Sequence, residues 1–249
     1  MERHTVRIHN QDIHYSMCGD GQPVVLVHGL SGSSRWWQRN IPTLARYFRV
    51  YVVDLPGFGQ LSHLRRHFQL QTVAGWLSSW MEAVGAYPAH IIGHSMGGYI
   101  CLQVAARHVA AVRHLVLIAP AGLQTGRTLP AHVGPLAYAV LDAAPAFVPV
   151  LVADAIRAGP WTLWRAAQEL LAVDARELLP DVHTPTLLIW GERDALVPCS
   201  LGEEWQRHMT DARLLIIPGA SHVPMFDHPY AVNQALIKFL RTPATIGGP

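Results

Sequence analysis

The 249-residue chain is predicted to fold as α/β: a mostly parallel central sheet of about eight strands, opened by an N-terminal antiparallel hairpin, with helices on both faces. Three observations carry this. Short continuous apolar runs such as Pro23–His28, Arg49–Leu55 and Pro88–Gly93 lack polar alternation, as strands buried on both faces of a parallel sheet do. Between them lie stretches with apolar residues at three- and four-residue steps, the mark of amphipathic helices. Strand and helix alternate repeatedly, an order that builds right-handed βαβ crossovers.

Composition agrees. Half of the residues are apolar and 14% are charged, so the chain can bury a sizeable core. Net charge is +2 and no basic block occurs, which argues against nucleic-acid binding. The three cysteines, Cys18, Cys101 and Cys199, are far apart and show no metal spacing. No apolar secretory region follows Met1, so a cytoplasmic, reducing location is the expectation.

Thr5–His9 and Ile13–Met17 flank a polar turn and read as the edge hairpin. Pro23–His28 is the first buried strand, and His28-Gly29-Leu30-Ser31-Gly32-Ser33 follows it as a loop. Arg35–Tyr47 reads as a helix with Trp36, Trp37, Ile41 and Leu44 inward. Arg49–Leu55 is a strand ending in a Pro56-Gly57 turn, where Asp54 is expected to fasten the loop. Gln69–Gly85 is helical by pattern, through Leu70, Val73, Leu77, Trp80, Met81 and Val84. Pro88–Gly93 and Arg113–Ala119 are the next strands, and Thr186–Trp190 and Arg213–Ile217 the last two. Tyr230–Leu240 closes the chain as an amphipathic helix.

The motif that organises the chain is Gly93-His94-Ser95-Met96-Gly97-Gly98, where a strand runs into a helix through a sharp turn with serine at its apex. Such a turn leaves almost no room for side chains two positions before and after the serine, and glycine occupies both. The pattern resembles the nucleophile elbow of the α/β-hydrolases, in the serine carboxylesterase and lipase-like branch. The order Ser95, Asp194, His222 along the chain matches that family's nucleophile, acid and base. Glu192 is a rival acid, but Gly191-Glu192-Arg193-Asp194 followed by Val197-Pro198 fits the family's acid loop better with Asp194. The resemblance also implies an oxyanion hole from the backbone N–H groups of Leu30 and Met96. His94 is expected to support the elbow and His28 to pack beneath the oxyanion loop. Cys101 is expected to be a buried thiol.

The β/α rhythm pauses at 123–183, a stretch rich in Ala, Leu and Val and punctuated by Pro130, Pro135, Pro145, Pro149 and Pro160. The resemblance implies a helical cap inserted there, on a core of 1–122 and 184–241, with 242–249 as a flexible tail. Val133–Ala153 is apolar, but Asp142 and three prolines argue against a spanning helix.

The implied activity is hydrolysis of carboxylic esters through an acyl-enzyme, with no metal or organic cofactor. The partner is a small ester with an apolar acyl or alcohol group, of short to medium chain because the cap is small. A serine nucleophile excludes the aspartate-based dehalogenase and epoxide hydrolase branches. Carbon–carbon hydrolysis of ring-cleavage products, acyl transfer and non-catalytic ligand binding remain as alternatives.

Overall fold

The computed structural model describes residues 1–123 and 128–243, and only the backbone of Arg66 and His67. The segment expected to be a flexible tail lies outside the described residues beyond position 243. The strands are β1 (Glu2–Ile8), β2 (Gln11–Cys18), β3 (Pro23–Val27), β4 (Arg49–Val53), β5 (Ala89–His94), β6 (Val112–Ile118), β7 (Thr186–Gly191) and β8 (Ala212–Ile217). They form one eight-stranded sheet in the order β1-β2-β4-β3-β5-β6-β7-β8. β1 and β2 pair antiparallel, β2 joins β4 antiparallel, and every pairing from β4 to β8 is parallel.

The helices are α1 (Ile41–Leu44), α2 (Val73–Ala83), α3 (Met96–Arg107), α4 (Val133–Asp142), α5 (Val148–Ala158), α6 (Pro160–Ala172), α7 (Ser200–His208), α8 (Pro224–Asp227) and α9 (Pro229–Leu240). Side-chain alternation divides the interior between the two sheet faces. Val25, Val27, Ile91 and Leu117 point to a core shared with α2 and α3. Val24, Leu26, Ile92 and Val116 point to one shared with α9 and the Trp36–Leu44 segment. Burying each such side chain contributes roughly 1.5–3 kcal/mol, which is why these strands carry apolar residues on both faces.

Three local outcomes differ from the sequence pattern. Arg35–Tyr47 is not one helix but a 3₁₀ turn, Ser34–Trp37, followed by the single-turn α1. Pro42 supplies no N–H, so a helix is better begun there than continued through it. Between β6 and β7, Pro149 and Pro160 begin α5 and α6 instead of breaking them, since a first-turn N–H needs no helical acceptor. The helix α7, between β7 and β8, completes the last crossover.

The chain leaves β3 for β4 on one side and returns to β5 on the other. This reversal opens a crevice at the C-terminal ends of β3 and β5, where open α/β sheets bind ligands. No helix among the described residues is long and apolar enough to cross a membrane.

Candidate active site

Ser95 sits between β5 and α3 with φ 51° and ψ −117°, a region that non-glycine residues rarely occupy and that costs of order 1–3 kcal/mol. The surroundings hold it there. Its N–H donates to Ile118 O at 2.9 Å, and its carbonyl accepts the N–H groups of Tyr99 and Ala121 at 3.2 Å each. A Cβ on Gly93 would lie 2.4 Å from Gly97 O, and one on Gly97 would lie 2.4 Å from His28 O. The turn therefore tolerates no side chain at either position.

The loop after β3 passes directly over this turn. A Cβ on Gly29 would meet the Ser95 Cβ at 3.1 Å and His94 Nδ1 at 2.8 Å. Gly32 N–H closes the loop onto Gly29 O at 3.0 Å, with Ser31 at φ 60°. Leu30 thus rides in a tight turn beside Ser95. Met96 opens α3, where an N–H has no intrahelical acceptor.

His222 follows β8 and Asp194 follows β7, so both reach the same sheet edge. His222 Nδ1–H donates to Asp194 Oδ2 at 2.8 Å, and both residues are buried. The other carboxylate oxygen accepts the backbone N–H groups of Leu196 at 3.0 Å and Val197 at 2.8 Å. With its acceptor sites filled this way, the carboxylate cannot swing away from the imidazole.

The two supporting histidines are held neutral. His28 is fully buried, donating from Nδ1 to Gly29 O at 2.8 Å and accepting Leu55 N–H on Nε2 at 3.0 Å. Burial lowers its affinity for a proton. His94 donates from Nε2 to the His222 carbonyl at 2.9 Å, and burial, reinforced by the neighbouring His222, holds it well below the ordinary histidine range. The rival acid Glu192 and the loop carboxylate Asp54 are engaged elsewhere. Glu192 accepts Gly219 N–H at 2.8 Å, and Asp54 accepts Ser34 N–H at 2.5 Å and Gln60 N–H at 2.7 Å. Cys101 is buried, and burial pushes its thiol up.

Ser95, His222 and Leu30 line a cavity of about 600 Å³. Its far walls come from α4, α5 and α6, and among the described residues no Asp, Glu, Lys or Arg side chain lines it. Met96 and Asp194 lie behind this surface, both buried. No group of metal-ligating side chains occurs among the described residues. One residue that sequence reasoning missed is Asp154, a buried carboxylate on α5 bonded to the loop that follows Leu30. An acid in the middle of the apolar stretch Val148–Ala158 was its only signal.

Comparison with known proteins adds the following. The model of the Alpha/beta hydrolase family matches residues 24–235. The chain is 31% identical, over 89% of its length, to the dihydrolipoyllysine-residue acetyltransferase component of the acetoin cleaving system of Pseudomonas putida, and spans 64% of that protein. It is 30% identical, over 82% of its length and 88% of the relative's, to the pimeloyl-acyl-carrier-protein methyl ester esterase of Neisseria meningitidis serogroup C. A solved serine hydrolase involved in carbazole degradation has a TM-score of 0.81 and 25% identity, covering 96% of this chain and 98% of that one.

Proposed function

The chain belongs to the alpha/beta hydrolase family, and on that premise we propose that it hydrolyses carboxylic esters through an acyl-enzyme on Ser95. The observation that carries the reading is the 2.8 Å hydrogen bond from His222 to Asp194, at the rim of the cavity that Ser95 lines.

A serine hydroxyl is a poor nucleophile until a base takes its proton. His222 is that base. Asp194 fixes its tautomer, Nδ1–H toward the carboxylate and Nε2 free for the proton, and stabilises the imidazolium as it forms. Ser95 Oγ attacks the ester carbonyl carbon and the carbonyl π pair moves onto oxygen. The N–H groups of Leu30 and Met96 hydrogen-bond that oxyanion, commonly the largest electrostatic contribution to such a step. Collapse expels the alkoxide, which takes the proton from His222. Water then gives a proton to His222, attacks the acyl carbon, and the second collapse returns the proton to Ser95.

The described walls, which carry no Asp, Glu, Lys or Arg, support a neutral ester with an apolar acyl or alcohol group. The cavity of about 600 Å³ falls within the roughly 300–1,000 Å³ range of small-molecule sites, which supports a small ester of short to medium acyl chain. In this reading α4–α6 and their connections, 123–183, form a cap on a core of 1–122 and 184–241. The three free cysteines support a reducing, cytoplasmic setting.

The test is hydrolysis of a p-nitrophenyl ester series from acetate to palmitate by wild type and Ser95→Ala, with a ring-cleavage product run alongside. The expected result is turnover of the butyrate to decanoate esters, lost in the variant. Equal rates for the two proteins would overturn the assignment of Ser95. Cleavage of the ring-cleavage product alone would transfer the reading to carbon–carbon hydrolysis.

A further inference from the structure

Asp54, Asp154 and Asp194 are the buried carboxylates among the described residues. Asp194 orients His222 and Asp54 fastens two backbone N–H groups, but Asp154 has no part in either task. It lies in the middle of α5 and is 1% exposed. Its Oδ2 accepts the Ser33 hydroxyl at 2.7 Å and the Trp36 indole N–H at 3.2 Å. The Arg35 guanidinium stands 3.6 Å from Oδ1, an atom that makes no hydrogen bond.

All three partners come from one four-residue stretch, Ser33–Trp36. That stretch continues directly from the Gly29–Gly32 turn that carries Leu30. The start of the turn is tied to His28 through Gly29 O, as described above. Asp154 ties the other end, and Ser33 Oγ is further engaged by Arg35 N–H at 3.3 Å. The cavity feels the same tie. Trp36 forms part of its wall, and Leu151 and Ala155 on α5 form another part.

Packing stability alone does not explain a carboxylate here. Burial pushes its carboxyl above the ordinary range, against the opposing pull of Ser33 and Arg35. Replacing a buried ionic group with a well-packed apolar one is often neutral or stabilising. What an apolar side chain cannot do is accept two directed hydrogen bonds and so fix where a loop sits.

We infer that Asp154 is a positioning residue for the proposed hydrolysis, locking α5 to the Gly29–Trp36 loop so that the Leu30 N–H is held over Ser95. The inference rests on the ester-hydrolase reading above. It gives the cap a second task beyond lining the cavity, because the oxyanion donor keeps its place only while α5 is docked.

The experiment measures kcat and KM on p-nitrophenyl butyrate for wild type, Asp154→Ala, Asp154→Asn, Ser33→Ala and Ser95→Ala, at a temperature where melting curves show each protein folded. Asp154→Ala is expected to lower kcat by roughly 10- to 100-fold with KM within about threefold, because small misplacements of catalytic groups reach that size. Asp154→Asn, which still offers an acceptor to Ser33 and Trp36, is expected to recover to within about threefold of wild type. If Asp154→Ala does not fold, Ser33→Ala removes one bond from the other side and is expected to lower kcat by roughly 3- to 10-fold. Asp154→Ala at the wild-type kcat, Asp154→Asn as slow as alanine, or an unaltered Ser33→Ala would each overturn the positioning role. A wild type no faster than Ser95→Ala would overturn the ester-hydrolase reading and the positioning role together, so the two failures are told apart.

Discussion

Strand β5 carries a histidine near each end, and each packs against a second histidine from elsewhere in the chain. His90 meets His114 at the N-terminal end, and His94 meets His222 at the C-terminal end, with ring centroids 4.9 Å apart in both pairs. All four are buried. The pairs differ in what lies around them. His90 Nε2–H donates to Gln22 Oε1 at 2.8 Å, which leaves His90 Nδ1 to accept from His114 Nδ1–H at 3.0 Å. That is a neutral arrangement in which, among the described residues, neither ring is hydrogen-bonded to a carboxylate. At the other end His222 has a carboxylate on one nitrogen and faces a cavity beside a strained serine. Buried histidines in contact are therefore no sign of chemistry by themselves. The carboxylate, the cavity and the backbone strain are what set the pair proposed to work apart from the packing pair.

The sharpest way to break this comparison is to remove one imidazole from each end. His222→Ala is expected to lower kcat on p-nitrophenyl butyrate by roughly 10⁴- to 10⁶-fold, the size seen when a base that works with a nucleophile is lost. His114→Asn is expected to leave kcat within about twofold, since it touches nothing at the cavity. Comparable losses in the two variants would erase the distinction. Asp194→Asn should come next, with kcat down by roughly 10³- to 10⁴-fold, because the amide no longer enforces the imidazole tautomer. Steady-state kinetics with the thermal melt unchanged would establish that the loss is chemical.

The N-terminal pair is expected to announce itself in stability instead. Burial, with repulsion from His114 and Arg113, lowers His90 to about 3. In the unfolded chain histidine takes its proton near 6.5. The unfolded state thus binds more protons between those values, so this contribution is intact above pH 6.5 and is lost as pH falls toward 3. Urea titrations should show His90→Gln reducing the stability difference between pH 8 and pH 5 by about 2 kcal/mol. An unchanged pH slope would contradict a neutral His90. The smallest effect expected is from Gln22→Ala, which removes the acceptor for His90 and should cost about 1 kcal/mol at pH 8 without altering kcat.

Much of this was legible in the residues because it is local. Ser95 is announced by Gly93 and Gly97, whose absent side chains the turn demands, and the buried strands by their unbroken apolar runs. That Asp194 and His222 lie together was legible because each follows a strand whose end the parallel topology brings to one edge. Where local rules compete, pattern was a poorer guide. Arg35–Tyr47 has helical spacing, yet Pro42 and the tie from Ser33 and Trp36 to Asp154 divide it into a turn and a short helix. Asp154 itself was hidden because its partners lie 121 and 118 residues away, a pairing that no window along the chain contains.

The helices that roof the cavity all enter between β6 and β7, which are neighbours in the sheet. On the proposed reading, that single segment can be exchanged to retune which molecules are accepted, while Ser95, Asp194 and His222 stay on loops the exchange never cuts. The graft has one condition attached. A replacement with no acceptor facing Ser33 and Trp36 would inherit the pocket's shape but not its speed.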